Sequence, residues 1–115
     1  MEFTDFLLHD PRFVDDVLQL RRQNGFGSFS ESVARSILYT CGACYDSARV
    51  ALVEGISASL TSGFHHAGPR AARGFCTFNG LMTTAVQLLD EARAQKVAIV
   101  DCDYHYGDGT QAIID

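Results

Sequence analysis

Positive charge is scarce in this sequence. Nine Lys and Arg stand against fourteen Asp and Glu, a formal net charge of −5. Arg21-Arg22, Arg70, Arg73 and Arg93 are too scattered to form a basic stripe. That excludes direct binding to a nucleic-acid phosphate backbone, which calls for clustered Lys and Arg. Long apolar runs are missing too. None approaches the roughly twenty residues of a membrane span, so no membrane partner is expected. The N-terminus, Met1-Glu2-Phe3-Thr4-Asp5, is acidic where a secretory signal would be basic. The expected compartment is therefore the cytoplasm. No internal repeat or low-complexity segment occurs. Cysteine is limited to Cys41, Cys44, Cys76 and Cys102. In a reducing compartment these read as buried thiols rather than disulfides. Cys41-Gly42-Ala43-Cys44 has redox spacing, but it falls inside a helical pattern, and no second pair exists to complete a zinc site.

What is there suits one small globular domain. The chain has 115 residues, 47% hydrophobic and 20% charged. Asp10-Pro11 starts a helix, with Phe13, Val14, Val17 and Leu18 on one face and Asn24-Gly25 as its end. Gly25 to Ser28 reads as a loop. A second helix is expected over Val33 to Glu54, with Leu38, Cys41, Tyr45, Ala48 and Leu52 as its stripe and Gly55 as its stop. Ala58 to Ser62 is a strand candidate running into Gly63-Phe64-His65-His66. Gly68-Pro69 and Gly74 mark a loop. A third helix is expected over about Asn79 to Gln95, its apolar face built from Leu81, Met82, Ala85, Val86, Leu89 and Ala92. Val97 to Val100 is an apolar run of the kind found in strands buried on both faces. Asp101 to Gly109 is a polar loop, and Thr110 begins another helix.

From residue 58 the order is strand, loop, helix, strand, loop. This predicts a βαβ unit with parallel strands and a right-handed crossover. Both polar loops would then leave the carboxyl ends of strands on one sheet edge, where open α/β sheets bind ligands. Asp103 and His105, two residues apart, offer zinc one oxygen and one nitrogen donor. His65 and His66 gain meaning if each has a carboxylate partner. Such a partner fixes the tautomer of one ring nitrogen and raises the basicity of the other. Asp101 and Asp108 are the candidates. Each also has a plainer reading, Asp101 as a loop cap and Asp108-Gly109 as a turn.

Three ordered motifs carry a family resemblance. They are Gly63-Phe64-His65-His66-Ala67, Gly74-Phe75-Cys76-Thr77-Phe78-Asn79 and Val100-Asp101-Cys102-Asp103-Tyr104-His105-Tyr106-Gly107-Asp108-Gly109-Thr110. Together they resemble the zinc-dependent histone deacetylase family, which includes acetylpolyamine amidohydrolases. Weaker similarity extends back through Tyr39 to Gly55 and to His9-Asp10-Pro11-Arg12-Phe13-Val14. The resemblance implies an arginase/deacetylase-like α/β class, a three-layer α/β/α fold with a parallel sheet, of which residues 1–115 form the N-terminal to central part. It implies zinc held by Asp103 and His105. It implies His65 and His66 as the catalytic histidines, with His66 the general base, Asp101 the partner of His65 and Asp108 the partner of His66. Gly74 and Phe75 would line the acyl-lysine channel. Asp101 and Asp103 would hold a structural potassium ion.

The implied reaction is hydrolysis of acetyl-lysine side chains or small acetylated amines. Tyr106 replaces a histidine common beside the zinc-ligand histidine, and Phe64 replaces a glycine or leucine. Gly107 stands where arginases keep a second metal-binding carboxylate, which favours a single metal. The third zinc ligand and the carbonyl-polarising tyrosine or histidine are expected beyond residue 115. The alternative is a non-catalytic interaction module of the same fold. An open sheet edge would favour poor solubility or homo-oligomers. A thiol redox protein would rest on Cys41 and Cys44 alone.

Overall fold

A computed structural model describes residues 8–115 of the chain. The reading of Met1 to Asp5 as lacking a signal lies outside these residues. Four helices follow one another: α1 (Pro11–Leu18), α2 (Glu31–Glu54), α3 (Gly80–Asp90) and α4 (Asp108–Ile114).

Local chemistry sets the helix ends. Asp10 caps α1 by accepting the Arg12 N–H at 2.8 Å, with Pro11 in the first position, where its missing N–H costs nothing. The helix stops well short of Asn24-Gly25. Leu20 takes a left-handed φ of 58°, and the Arg21 N–H reaches back to the Asp16 carbonyl. Ser30 caps α2, so that helix begins earlier than Val33, and Glu31 in its first turn complements the helix dipole. Gly55, at φ 92°, ends α2 as its position suggests. The third helix is shorter than expected. Ala92 turns left-handed at φ 55° and the Arg93 N–H bonds the Leu88 carbonyl, so Ala92 closes the helix instead of extending its face.

The core joins α1, α2 and the segments around residues 64 and 78. Phe13, Val14 and Val17 meet Ala34, Ile37 and Cys41, with Phe64 and Phe78 between them. Phe78 is fully buried, its ring edge-on to Phe13 at 6.2 Å and to His9 at 5.6 Å. Burying one such ring contributes about 1.5–3 kcal/mol. The Tyr45 hydroxyl reaches from α2 to Glu91 at 2.5 Å. That bond, followed by Arg93, holds the Glu91 carboxyl down to about 2.

The expected parallel sheet is a correction. Among the described residues no sheet forms, and the β-structure is confined to isolated antiparallel bridges, Gly68 with Ala71 and Arg73 with Cys76. A three-layer α/β/α fold and a βαβ unit are therefore not what this chain adopts. The physical reason lies in what a strand needs. A strand has no hydrogen bonds of its own; its ladder comes from its neighbours. Segments 58–62 and 97–100 make no backbone hydrogen bonds to each other. Leu60 and Val100 are exposed, at 104% and 83% of full accessibility, so the apolar run at 97–100 is not buried on both faces.

The third helix turns only part of the expected face inward, Ala85 being buried and Leu81 packed against the core. Thr83, Thr84, Ala85, Gln87 and Leu88 are buried, whereas Leu89 is exposed. No helix among the described residues is long and apolar enough to cross a membrane.

Candidate functional site

The two histidines sit on a turn that the core anchors from below. Phe64 is buried in the hydrophobic cluster, its ring against Gly80, where a Cβ would come within 2.7 Å of it. The Ala67 N–H closes the turn on the Phe64 carbonyl at 3.0 Å. Gly63 precedes it at φ 89°, with the Phe75 carbonyl so near that a Cβ would lie 2.6 Å away. Only glycine combines that φ with that approach.

Asn79 ties this turn to two helices. It is fully buried. Its Oδ1 caps α3 by accepting the Met82 N–H, and its Nδ2 donates to the Ala67 carbonyl and the Thr110 hydroxyl. Its own N–H donates to Nε2 of His9 at 2.9 Å. From the other side, the Gly109 and Thr110 N–H groups both donate to the His65 carbonyl, at 2.9 and 3.1 Å. The first turn of α4 is thereby locked onto the histidine turn, which brings Asp108 into reach.

Two His–Asp pairs result. His65 Nδ1 lies 2.8 Å from Asp101 Oδ2, and His66 Nδ1 lies 2.6 Å from Asp108 Oδ1. The imidazole centroids are 4.1 Å apart. A carboxylate only accepts, so each Nδ1 carries the proton and each Nε2 keeps a free lone pair. Asp108 uses its other oxygen on the Arg73 guanidinium. Burial pushes the His66 pKa below its usual value, and the nearby His65, Arg73 and His105 push it the same way, against Asp103. The Asp101 carboxyl is held below the usual range, first by the Asp103 N–H and then by His65.

Asp103 and His105 lie next to these pairs but nearer solvent, their side chains 48% and 71% exposed. Asp103 Oδ1 accepts the His105 N–H at 2.7 Å, approaches His105 Nδ1 at 3.2 Å and stands 3.8 Å from His65 Nε2. The His105 N–H holds the Asp103 carboxyl low. As donor types, one carboxylate oxygen and one imidazole nitrogen converging within 3.2 Å fit zinc. In number they fall short: among the described residues no group of three His, Cys, Asp or Glu side chains could hold a metal ion. Asp101 is engaged with His65 instead.

The other two expected site residues border the same ground. Gly74, at φ 55°, lies under the His66 ring, where a Cβ would meet the imidazole at 2.7 Å. Phe75 is exposed and takes φ 64°. A non-glycine residue in that region costs about 1–2 kcal/mol. A groove of about 780 Å³ opens here, bordered by His65, Gly74, Phe75, Asp101 and Asp103. The structure thus brings His65, His66, Asp101, Asp108 and Gly74 into direct contact, with Asp103 and His105 alongside.

Sequence reasoning missed Arg73 and Phe26. Arg73 was read only as one of several scattered cations; its place directly before Gly74-Phe75 was the available signal. Phe26 was read as part of a loop, yet its ring lies 5.6 Å from Phe75. Cys44 and Cys76 border this groove, whereas Cys41 does not. Cys41 is buried, and burial pushes its thiol up to about 12.

A family model for the histone deacetylase domain matches residues 5–115. An uncharacterized protein of Picosynechococcus sp. is 33% identical over 112 residues, covering 93% of this chain and 37% of its own length. The acetoin utilization protein AcuC of Staphylococcus aureus is 50% identical over 52 residues, 45% of this chain and 13% of its own length. Histone deacetylase 9 of Homo sapiens is 44% identical over 62 residues, 48% of this chain and 6% of its own length. These matches therefore span less than two thirds of each relative.

Proposed function

Because this chain belongs to the histone deacetylase domain family, we propose that it carries the proton-handling part of a hydrolase site that removes acetyl groups from acetyl-lysine side chains or small acetylated amines. The observation that supports this reading most is the pair of His–Asp contacts, 2.8 and 2.6 Å long, on rings 4.1 Å apart.

The chemistry follows from the protonation states. His66 favours its neutral form because burial, and after it the charge of neighbours such as Arg73, lowers its pKa. Its free Nε2 accepts a proton from the attacking water, while Asp108 holds the tautomer and stabilises the imidazolium that forms. The same Nε2–H then protonates the departing amine, and acetate is the other product. His65, fixed by Asp101, presents a second Nε2 lone pair beside the first and orients the same water. Asp103 and His105 would hold zinc together with a donor from outside the described residues. Zinc bound there would polarise the acetyl carbonyl and lower the pKa of the water.

The test compares the complete protein that carries this chain with its Asp108→Asn variant, measuring acetate release from an acetyl-lysine peptide. General-base assistance contributes about 10²–10⁴-fold, so kcat should fall by that order with KM little changed. An unaltered kcat would refute the assignment. The 115-residue chain on its own should show no zinc-dependent turnover, because two donors hold the metal weakly. Robust turnover by that chain would refute the donor count. The second reading, a non-catalytic interaction module, is favoured by that same shortage of donors. It would be preferred if the complete protein released no acetate from any acetylated amine.

A further inference from the structure

Helix α2 has two unlike faces. Its inner face, Ala34, Ile37, Cys41 and Tyr45, is buried. The opposite face should be polar if water alone covers it. Instead Tyr39 and Val53 stand 80% and 83% exposed there, with Val50 exposed between them. At 3.6 residues per turn these three fall on one stripe. A hollow of about 670 Å³ opens at the N-terminal end of the stripe, lined by Arg35, Leu38, Tyr39, Gly42, Ala43 and Asp46. Its two ends carry opposite charge and its middle is apolar. Arg35 leans on Glu31 one turn earlier, both side chains in solvent, and Asp46 is exposed.

The six residues lining this hollow pair off among themselves under one operation. A second α2 laid antiparallel on the first, about a twofold axis level with the Thr40–Cys41 peptide bond, brings residues equally distant from that bond face to face. Arg35 then meets Asp46, Leu38 meets Ala43 and Tyr39 meets Gly42, each pair occurring twice. Every cation faces an anion, and each large side chain faces a small one. Gly42 and Ala43 let the helix axes approach to about 8 Å, the near end of the range for packed helices. A twofold contact demands such self-complementarity, because one patch serves both copies. The charges also reject the parallel arrangement, which would set Arg35 against Arg35 and Asp46 against Asp46. The sheet edge first expected to drive association does not form among the described residues.

We infer that this face of α2 is a docking surface for a second copy of the chain, joined through an antiparallel α2–α2 contact in which Tyr39 of each copy lies over Gly42 of the other. Two crossed helices bury less than about 1,200 Å² in total, the range of transient association. Half-dimerisation is therefore expected between about 10 and 500 µM. Cys44, Ser47 and Ala51, which border the groove beside His65, fall on the other side of the helix. The contact therefore leaves that groove open, and the inference does not rest on the deacetylase reading.

The experiment is sedimentation velocity on the complete protein that carries this chain, from about 5 µM to about 1 mM, which spans the expected range. Reducing buffer keeps the exposed Cys102 from cross-linking copies. Wild type should pass from monomer to dimer across that range. Arg35→Asp sets carboxylate against carboxylate at both charged pairs, and Asp46→Arg sets guanidinium against guanidinium. Each variant alone should dimerise at least about tenfold more weakly. An equimolar mixture of the two regains both opposite-charge pairs in the mixed dimer, and should associate within about threefold of wild type. A wild type that is still monomeric at about 1 mM would overturn the inference. So would single variants that dimerise as wild type does, or a mixture as monomeric as its components. Both residues are exposed, so far-ultraviolet circular dichroism should show unchanged helix content. If either variant loses helix, Tyr39→Ala decides instead. Removing the ring over Gly42 should weaken dimerisation about tenfold, and an unchanged Kd overturns the contact.

Discussion

Gly109→Ala sets two physical effects against each other at the site. Gly109 lies in the first turn of α4. Helix propensity alone favours alanine there by about 1 kcal/mol. Space argues the other way. A Cβ at this position would stand 2.4 Å from the His66 carbonyl carbon and 2.5 Å from both the carbon and oxygen of the Ala67 carbonyl. These are backbone atoms of a turn anchored by Phe64 and Asn79, so they cannot swing aside as a flexible side chain would. Overpacking of this kind costs about 1–3 kcal/mol. Moving α4 away to relieve it also loosens the Gly109 and Thr110 hydrogen bonds to the His65 carbonyl, at about 1 kcal/mol each.

The losses thus total about 3–5 kcal/mol, and after the propensity gain the net loss is about 2–4 kcal/mol. With a urea m-value of about 1–3 kcal/mol/M, the unfolding midpoint should drop by about 0.7–4 M. Urea titration followed by far-ultraviolet circular dichroism measures this directly. Gln111→Ala, exposed on the same helix, is the control and should stay within about 0.5 kcal/mol of wild type. A midpoint for Gly109→Ala equal to or above that of wild type would show that α4 does not press on the histidine turn, and the account of how Asp108 reaches His66 would fall with it.

Two further outcomes are expected. His9 accepts the Asn79 N–H on Nε2, and burial lowers its pKa from the ordinary 6.5. The unfolded chain therefore takes up a proton first as pH falls, so stability is full above about pH 6.5, declines from there to the folded pKa and is level below it. His9→Gln keeps an acceptor for Asn79 without a titrating group. The difference in urea midpoint between the two proteins from pH 8 to pH 5 should shrink in the variant's favour, and a constant difference would refute the role of His9. In the thiols, Cys41 is buried with its pKa pushed up to about 12, whereas Cys102 is exposed. Iodoacetamide at pH 8, followed by peptide mass spectrometry, should alkylate Cys102 at least a hundredfold faster than native Cys41, since less than about one thousandth of a thiol with so high a pKa is ionised there. Comparable rates would contradict the burial of α2's inner face.

The His–Asp contacts were more legible than the scaffold, and the reason is the reach of the interactions concerned. A His–Asp contact needs two residue types and a chain that can bring them together. Asp101 and Asp108 flank a short loop, and His65 and His66 are adjacent, so few pairings exist. The sheet was a different kind of inference. Val97 to Val100 shows where burial on two faces would be useful, but the partner strands that would provide it cannot be read from the run itself, and here that run stays exposed. The third helix shows the same limit on a smaller scale. Periodicity favoured Leu81, Met82, Ala85, Val86, Leu89 and Ala92 as its inner face, and of these Ala85 is buried and Leu81 packs against the core. Its rotation is set instead at its N-terminus, where Asn79 is held by Ala67, Thr110 and His9. That anchoring turns Thr83, Thr84 and Gln87 inward. The same buried asparagine orients the turn that carries both histidines, so the feature that displaced part of the helix-face reading is part of what assembles the site. Hydropathy patterns carry no record of such a hub, because its effect comes from three hydrogen bonds to residues 12, 31 and 70 positions away in the chain.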